Sequence, residues 1–264
     1  LKDYNDMRSY NMKLGTFGQG ILMVGYGIMA LIAIYIGNKK KQISWKENFY
    51  VAVIVSCAML LLSINVLPLQ WFGSYTTTQS TSNFLLNYIG TSIYSGLLNC
   101  LQLTIIFSTA EYLTRLCQPN LPQLWSFRYQ SCAQSKTIGH LLVIGYIIFG
   151  ISVGYSALFY LIAQKIPSVW IPTGPLFNPN IISTYVPFYM PISISIQAGI
   201  MEECLFRALP IASFILLGKK YKRPMTALIF IIPVQAIIFG LAHASYPQQP
   251  SFIRVIELAI PFAI

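Results

Sequence analysis

Two adjacent carboxylates lie inside an apolar stretch of the chain, in the segment Gly199–Ala208 (GIMEECLFRA). Glu202 and Glu203 are followed there by Arg207, so three charges fall within six residues. A charge at the centre of a bilayer costs roughly 2.5–3.5 kcal/mol on insertion scales and therefore needs a partner or a purpose. A histidine, His243, lies in a comparable apolar setting further along the chain. Carboxylates and imidazole exchange protons with water near neutral pH, so these residues predict acid–base chemistry at membrane depth.

The two glutamates have different local surroundings. Glu203 and Arg207 stand at positions i and i+4, which on a helix places them about 6 Å apart on one face, where they neutralise each other. Glu202 points about 100° away and has no basic residue at i±3 or i±4, so it needs a partner from another helix. An alternative is that these charges form a buried ionic cluster that only fixes helix register. Glu111, near the end of another apolar stretch, is expected to reach water by extending along the helix.

The elements that must position these residues are membrane-spanning helices. Of 264 residues 55% are hydrophobic and only 9% charged, whereas soluble domains carry about 25% charged residues. Seven apolar stretches follow one another, the first at about 17–36, the fifth at about 191–217 with the glutamates, and the sixth at about 225–242 before His243. The sequence therefore predicts an all-α, polytopic transmembrane helix bundle of about seven or more spans, an integral membrane protein.

The loop charges orient this bundle. Lys and Arg number four after the first stretch, three between the third and fourth and four between the fifth and sixth, whereas loops two–three and six–seven hold none. Lysine-rich loops face the cytoplasm or its organellar equivalent. The net charge of +10 thus indicates anionic lipid headgroups as partners rather than nucleic acid.

The same helices bring Glu202 and His243 to one depth. Glu202 precedes Gly218 by 16 residues and His243 follows Arg223 by 20, so both lie roughly 25–30 Å from the basic loop that joins their spans. Spans joined by a short loop are antiparallel neighbours, and the two side chains can therefore meet and share a water molecule. The site is expected in the far half of the bilayer, near the uncharged loop 244–251.

Two short motifs make a family resemblance specific. Glu202–Arg207 (EECLFR) fits the pattern EExxxR, and Phe239–His243 (FGLAH) fits FxxxH. Their order and spacing resemble the CAAX protease and bacteriocin-processing (CPBP) family of intramembrane endopeptidases, whose Rce1-type branch cleaves prenylated proteins. The resemblance implies that Glu202 and His243 are catalytic and activate water for peptide-bond hydrolysis.

The resemblance also implies supporting roles. Glu203 and Arg207 would hold the site together, and Phe239 would pack behind the histidine. No cofactor is required by this residue set, although two carboxylates and an imidazole could hold a divalent metal ion. The partners implied are membrane lipids and a protein or peptide substrate.

The resemblance covers the C-terminal part of the chain. We expect residues 185–264 to form the CPBP/Rce1-like core and residues 1–184 to supply about four further spans of unassigned role. The chain starts without Met and stops inside an apolar run, so we expect a piece of a longer protein, with the core truncated before the family's later histidine motif. Ala208 stands where family members often have glycine. The alternative function is a non-proteolytic homologue that serves as scaffold or accessory subunit among other membrane subunits.

Overall fold

The computed structural model describes residues 2–123, 125–167, 169–170, 179–246 and 248–263, without the side chains of residues 127, 179 and 180. The α-helices in these ranges are α1 (Lys2–Ile21), α2 (Gly27–Lys39), α3 (Trp45–Asn65), α4 (Leu67–Ser74), α5 (Thr81–Cys117), α6 (Gln130–Ala133), α7 (Lys136–Ala163), α8 (Tyr189–Glu202), α9 (Leu209–Lys220), α10 (Pro224–Ala242) and α11 (Ile253–Ala263). Two π-helical segments, Leu22–Tyr26 and Glu203–Ala208, connect α1 to α2 and α8 to α9.

In the described part of the chain, five helical units are long and apolar enough to cross a membrane: Lys2–Lys39, α3, α5, α7 and α10. The predicted all-α membrane bundle is confirmed, whereas the predicted count of about seven or more spans is not. The fifth apolar stretch is divided by the π-helical segment Glu203–Ala208, and the seventh corresponds to α11, which has 11 residues.

The first helix begins earlier than the apolar pattern of its sequence predicts. The apolar stretch predicts a start at about residue 17, but α1 starts at Lys2, and its first turns are rich in polar and charged residues. Its buried residues are Asn11, Gly15 and Gly18, which lie on one face and pack against the end of α10 and the segment after it. The polar start of α1 is therefore helical because of tertiary contacts, which routinely override local sequence preference.

The π-helical segment that carries the glutamate motif has a local cause. Pro210 stands in the first turn of α9, directly after Glu203–Ala208. Proline has no N–H to donate to the carbonyl of Phe206, and its ring would clash with that carbonyl in a regular α-helix. A wider π-helical turn accommodates this conflict, and such turns occur frequently at functional sites.

Among the described residues, buried hydrophobic side chains form two clusters, and both contact the π-helical segment Glu203–Ala208. One cluster includes Tyr26, Tyr112 and aromatic residues of the motif helices, together with Phe262. The other is built by α3 and α5 around Phe107, and Cys204 packs against it. Leu205 contacts both clusters, so the Glu202–Arg207 motif lies between two cores that fix its position.

Hydrogen bonds connect α3 to the segment before α8, and connect α7 to α11. Asn65, the last residue of α3, accepts a hydrogen bond from the N–H of Val186 (2.6 Å) and donates one to its carbonyl oxygen (3.0 Å), which fixes the segment before α8. In contrast, none of the most apolar 18 residues of α7 is buried inside the chain. The tyrosines of α7 reach α11, where Tyr160 donates to Glu257 (2.5 Å) and Tyr155 donates to the carbonyl of Ile256 (3.3 Å).

Candidate active site

Glu202 and His243 face each other in the structure. The Oε1 atom of Glu202 lies 3.7 Å from Nε2 of His243, and both side chains are about one quarter exposed. Glu202 is the last residue of α8, whereas His243 directly follows the last residue of α10. The proximity predicted from their equal depth is confirmed, while their catalytic roles stay predictions.

A backbone hydrogen bond fixes the orientation of the imidazole. Nδ1 of His243 lies 2.8 Å from the carbonyl oxygen of Phe239, four residues earlier in α10. A carbonyl oxygen only accepts, so Nδ1 carries the proton in the neutral imidazole and Nε2 keeps its lone pair. The nitrogen that faces Glu202 is therefore the basic one.

Aromatic rings support the histidine from behind. The ring of Phe239 lies 4.5 Å from the imidazole of His243 and is itself stacked on Phe262, with 3.9 Å between centroids and 8° between planes. Phe206 closes this group with an edge-to-face contact to Phe239 at 4.9 Å. Such rigid aromatic packing restricts the positions that the imidazole can take, as the predicted role of Phe239 requires.

Glu203 and Arg207 pair as their spacing predicts, but the pair is less buried than expected. Nη1 of Arg207 lies 3.4 Å from Oε1 of Glu203, and the guanidinium also lies 4.3 Å from the ring centroid of Phe262. The side chain of Glu203 is 52% exposed, so water screens its attraction to Arg207. Glu203 lies on a cavity of about 300 Å³ that is lined by the π-helical segment, α5 and α9.

A second polar cluster near the motif was missed by the sequence reasoning. Glu111 on α5 is 9% exposed, and the fully buried Asn48 of α3 donates a hydrogen bond to its carboxylate. Nε of Arg115 lies 3.4 Å from the same carboxylate. The expectation that Glu111 extends to water is wrong, because Asn48 and Arg115 together provide a polar partner set inside the bundle. A polar asparagine at the start of the second apolar stretch was the only sequence signal for this cluster.

Glu257 on α11 belongs to a third buried cluster. Its carboxylate accepts hydrogen bonds from Tyr160 (2.5 Å) and Arg254 (2.8 Å). The guanidinium of Arg254 also lies 5.0 Å from the ring centroid of Tyr246, three residues after His243. This cluster connects α7 and α11 to the segment that follows the histidine, and its charges are compensated where they are buried.

Among the described residues, the site offers two of the three protein ligands that a catalytic zinc ion takes. Such a site takes three protein ligands and keeps one open position. Glu202 and His243 provide two, whereas the carboxylate of Glu203 pairs with Arg207. Among the described residues, no group of three or more His, Cys, Asp or Glu side chains converges in a way that could hold a metal ion.

The site lies at the end of α10 that is opposite the basic loop. Arg223 precedes the first residue of α10 and His243 follows the last, with 19 residues between them. At about 1.5 Å per residue this separates the histidine from the basic loop by roughly 28 Å. The structure therefore agrees with the expected depth of the site, and the side of the membrane to which this end belongs stays a prediction from the loop charges.

The fold and the site define a class of protein: a helical membrane protein with a paired carboxylate and imidazole at the ends of α8 and α10. Residues 184–264 match the sequence model of the family described as Type II CAAX prenyl endopeptidase Rce1-like. This match includes all five predicted site residues and confirms, for this part of the chain, the family predicted from the two motifs. No curated protein and no solved structure matches the chain.

Proposed function

We propose that this protein is an intramembrane endopeptidase of the CAAX-protease type, in which Glu202 and His243 activate the attacking water. The observation that carries the proposal is the 3.7 Å separation of Glu202 Oε1 from the Nε2 atom of His243. The match of residues 184–264 to the Rce1-like family model supports the same reaction class.

The tautomer of His243 makes this pair suited to hold a water molecule. Nδ1 donates to the carbonyl of Phe239, so Nε2 and the ionised carboxylate of Glu202 are both acceptors. One water with hydrogen bonds of about 2.8 Å donates to two acceptors up to roughly 4.4 Å apart. A water in this gap would donate both hydrogens and direct an oxygen lone pair toward the substrate, which is how a general base increases nucleophilicity.

The proposed reaction moves protons between these two groups. The water oxygen forms a bond to the carbonyl carbon of the scissile peptide while its proton passes to Glu202, and a tetrahedral intermediate results. The C–N bond then breaks as the leaving nitrogen takes a proton relayed through the Glu202–His243 pair, so the pair returns to its starting state after one hydrolysis. Glu203 and Arg207 position the motif helix, and Phe239 restrains the imidazole.

The proposed partners follow from this reaction. The substrate is a protein or peptide chain held at the membrane, such as one that ends in a prenylated CaaX sequence, and membrane lipids surround the bundle. The hydrolysis as proposed uses no cofactor, because the acid–base pair alone activates the water. Cleavage should therefore persist in the presence of a metal chelator.

Two pairs of variants test the proposal on purified protein in lipid vesicles with a prenylated CaaX peptide. Glu202→Gln and His243→Gln remove the acid–base groups while keeping side-chain shape, and release of the C-terminal residues should fall by about 10²–10⁴-fold. Glu47→Gln and His140→Gln are matched controls outside the site and should cleave like the wild type. Mass spectrometry of the released peptide measures the result, and near-wild-type cleavage by Glu202→Gln contradicts the proposal.

One observation favours a second candidate function, that of a scaffold or accessory subunit. Helix α7 is strongly apolar, and a Cβ atom added at Gly150 or Gly154 would meet no other atom within 4 Å. Two glycines at this spacing allow close approach of another membrane helix. A wild-type protein that assembles normally and cleaves neither prenylated nor unprenylated membrane peptides would favour this alternative.

A further inference from the structure

Four residues on one face of α1 contact the end of α10 and the segment that follows His243. Arg8, Asn11, Gly15 and Gly18 are spaced by three, four and three residues, which places them in one stripe along the helix. All four lie outside residues 184–264, the part of the chain that the family match covers. The first helix is therefore built into the surroundings of the site although neither motif includes it.

The polar half of the stripe binds backbone carbonyl groups. Nδ2 of Asn11 donates to the carbonyl oxygens of Tyr246 (2.8 Å) and Gln248 (3.0 Å), and Asn11 is 0% exposed. Nη1 of Arg8 donates to the carbonyl oxygen of Ser245 at 2.9 Å. Buried carbonyl groups need hydrogen-bond donors, so these side chains anchor the backbone at Ser245, Tyr246 and Gln248.

The glycine half of the stripe brings the two backbones into contact. A Cβ atom at Gly15 would lie 2.9 Å from the amide nitrogen of Ser245, and one at Gly18 would lie 2.6 Å from that of Ala242. These residues flank His243, so α1 contacts the backbone on both sides of the histidine. Only glycine permits such a close approach.

The position of His243 depends on this support because the histidine stands where α10 ends. Its backbone is no longer held by the regular helix, and its N–H bonds to the carbonyl of Gly240 in a tight final turn. The imidazole must nevertheless keep a separation of 3.7 Å from Glu202. A misplacement of about 1 Å in such a pair reduces turnover by about 10²-fold.

We propose that α1 is a positioning element of the active site, in which Arg8 and Asn11 hold the segment after His243 and thereby keep the imidazole against Glu202. The proposal rests on the proposed function, since it assigns the first helix a part in the same reaction. Neither residue touches the reacting atoms, so their effect is exerted through His243.

Matched variants of α1 test the effect on turnover. Arg8→Met removes the donor to Ser245, whereas Arg8→Lys retains one, so the first variant should lower kcat by about tenfold or more and the second should restore most of it. Asn11→Ala should lower kcat similarly, and Asn5→Ala, on the exposed part of the same helix, should not. Because substrate contacts are unchanged, KM should stay close to the wild-type value. Equal kcat values for Arg8→Met, Arg8→Lys and the wild type would overturn the proposal.

A second measurement does not depend on cleavage. In a His140→Gln background, His243 is the only histidine of the chain, and its carbethoxylation by diethyl pyrocarbonate can be followed by mass spectrometry. Release of the segment should make His243 react about threefold faster or more in Arg8→Met and Asn11→Ala than in their controls. Unchanged carbethoxylation rates of His243 would overturn the positioning role. Faster carbethoxylation of His243 in a protein that cleaves no peptide would support the positioning role but contradict the proposed function.

Discussion

Replacing Gly18 by alanine should separate α1 from α10, and Gly20 provides a matched control on the same helix. A Cβ atom at Gly18 would lie 2.5 Å from the carbonyl carbon of Leu241 and 2.6 Å from the amide nitrogen of Ala242. Both atoms belong to backbone, which cannot rotate away as a side chain can. At Gly20, an added Cβ atom would meet nothing within 4 Å.

The magnitude follows from two opposing effects. Alanine is favoured over glycine in a helix by about 0.5–1 kcal/mol, and this gain applies to Gly18→Ala and Gly20→Ala alike. Overpacking at a close contact costs about 1–3 kcal/mol, and it applies only to Gly18→Ala. The difference in the free energy of unfolding between the two variants should therefore equal the overpacking cost, about 1–3 kcal/mol in favour of Gly20→Ala.

Thermal unfolding in detergent micelles measures this difference. One kcal/mol moves the unfolding midpoint of a chain of this size by about 2–4 °C, so Gly18→Ala should unfold at a lower temperature than Gly20→Ala by roughly 2–12 °C. Gly18→Ala should also cleave more slowly, because α1 moves away from the end of α10. Equal midpoints for both variants would refute the close contact between α1 and α10 on which the reasoning depends.

Three further predictions concern other parts of the bundle. Loss of the ion pair in Arg207→Ala should lower the free energy of unfolding by only about 0.2–1 kcal/mol, because the carboxylate partner is half exposed. Denaturation midpoints measure this change, and a variant that fails to accumulate in membranes would contradict the prediction. Asn48→Leu should lower the free energy of unfolding by about 1–3 kcal/mol, because it removes a hydrogen-bond donor from the buried carboxylate of Glu111. In a thermal melt, the double variant Asn48→Leu with Glu111→Leu should recover part of that loss. In a cysteine-free protein on sealed vesicles, a membrane-impermeant thiol reagent should label Gln249→Cys from the non-cytoplasmic side and Lys222→Cys only from the other, and the reverse pattern would invert the proposed topology.

Gln249 is the labelling position in the topology experiment because the side chain of the neighbouring Gln248 is not accessible to a thiol reagent. Gln248 is nearly fully buried, whereas the side chain of Gln249 is exposed although its backbone pairs with that of Trp170. A thiol at Gln248 would therefore react slowly from either side. Hydropathy could not distinguish these two positions, because both are glutamines in the same uncharged loop.

The sequence by itself determined the helical membrane class of the protein and which charged residues of the candidate site face each other. Apolar runs separated by alternately basic and uncharged loops depend only on the bilayer as a solvent, so membrane insertion can be read without tertiary structure. The pairing of Glu203 with Arg207 follows from helix geometry, and the equal depth of Glu202 and His243 follows from counting residues along two helices joined by a short loop. These inferences hold because each rests on interactions local in sequence or on the membrane itself.

Only the tertiary structure decided how the rest of the chain contributes to the surroundings of the candidate site. Asn48 and Glu111 are 63 residues apart, and Arg8 is 237 residues from its acceptor at Ser245, so no periodicity or spacing rule connects them. The polar first turns of α1 have no apolar pattern and become helical because the segment after α10 accepts their hydrogen bonds. The π-helical turn that begins at Glu203 and the cavity beside α5 on which this residue lies are likewise absent from the sequence pattern. Contacts between distant segments arise from packing of the whole bundle, which a single sequence does not encode in any local pattern.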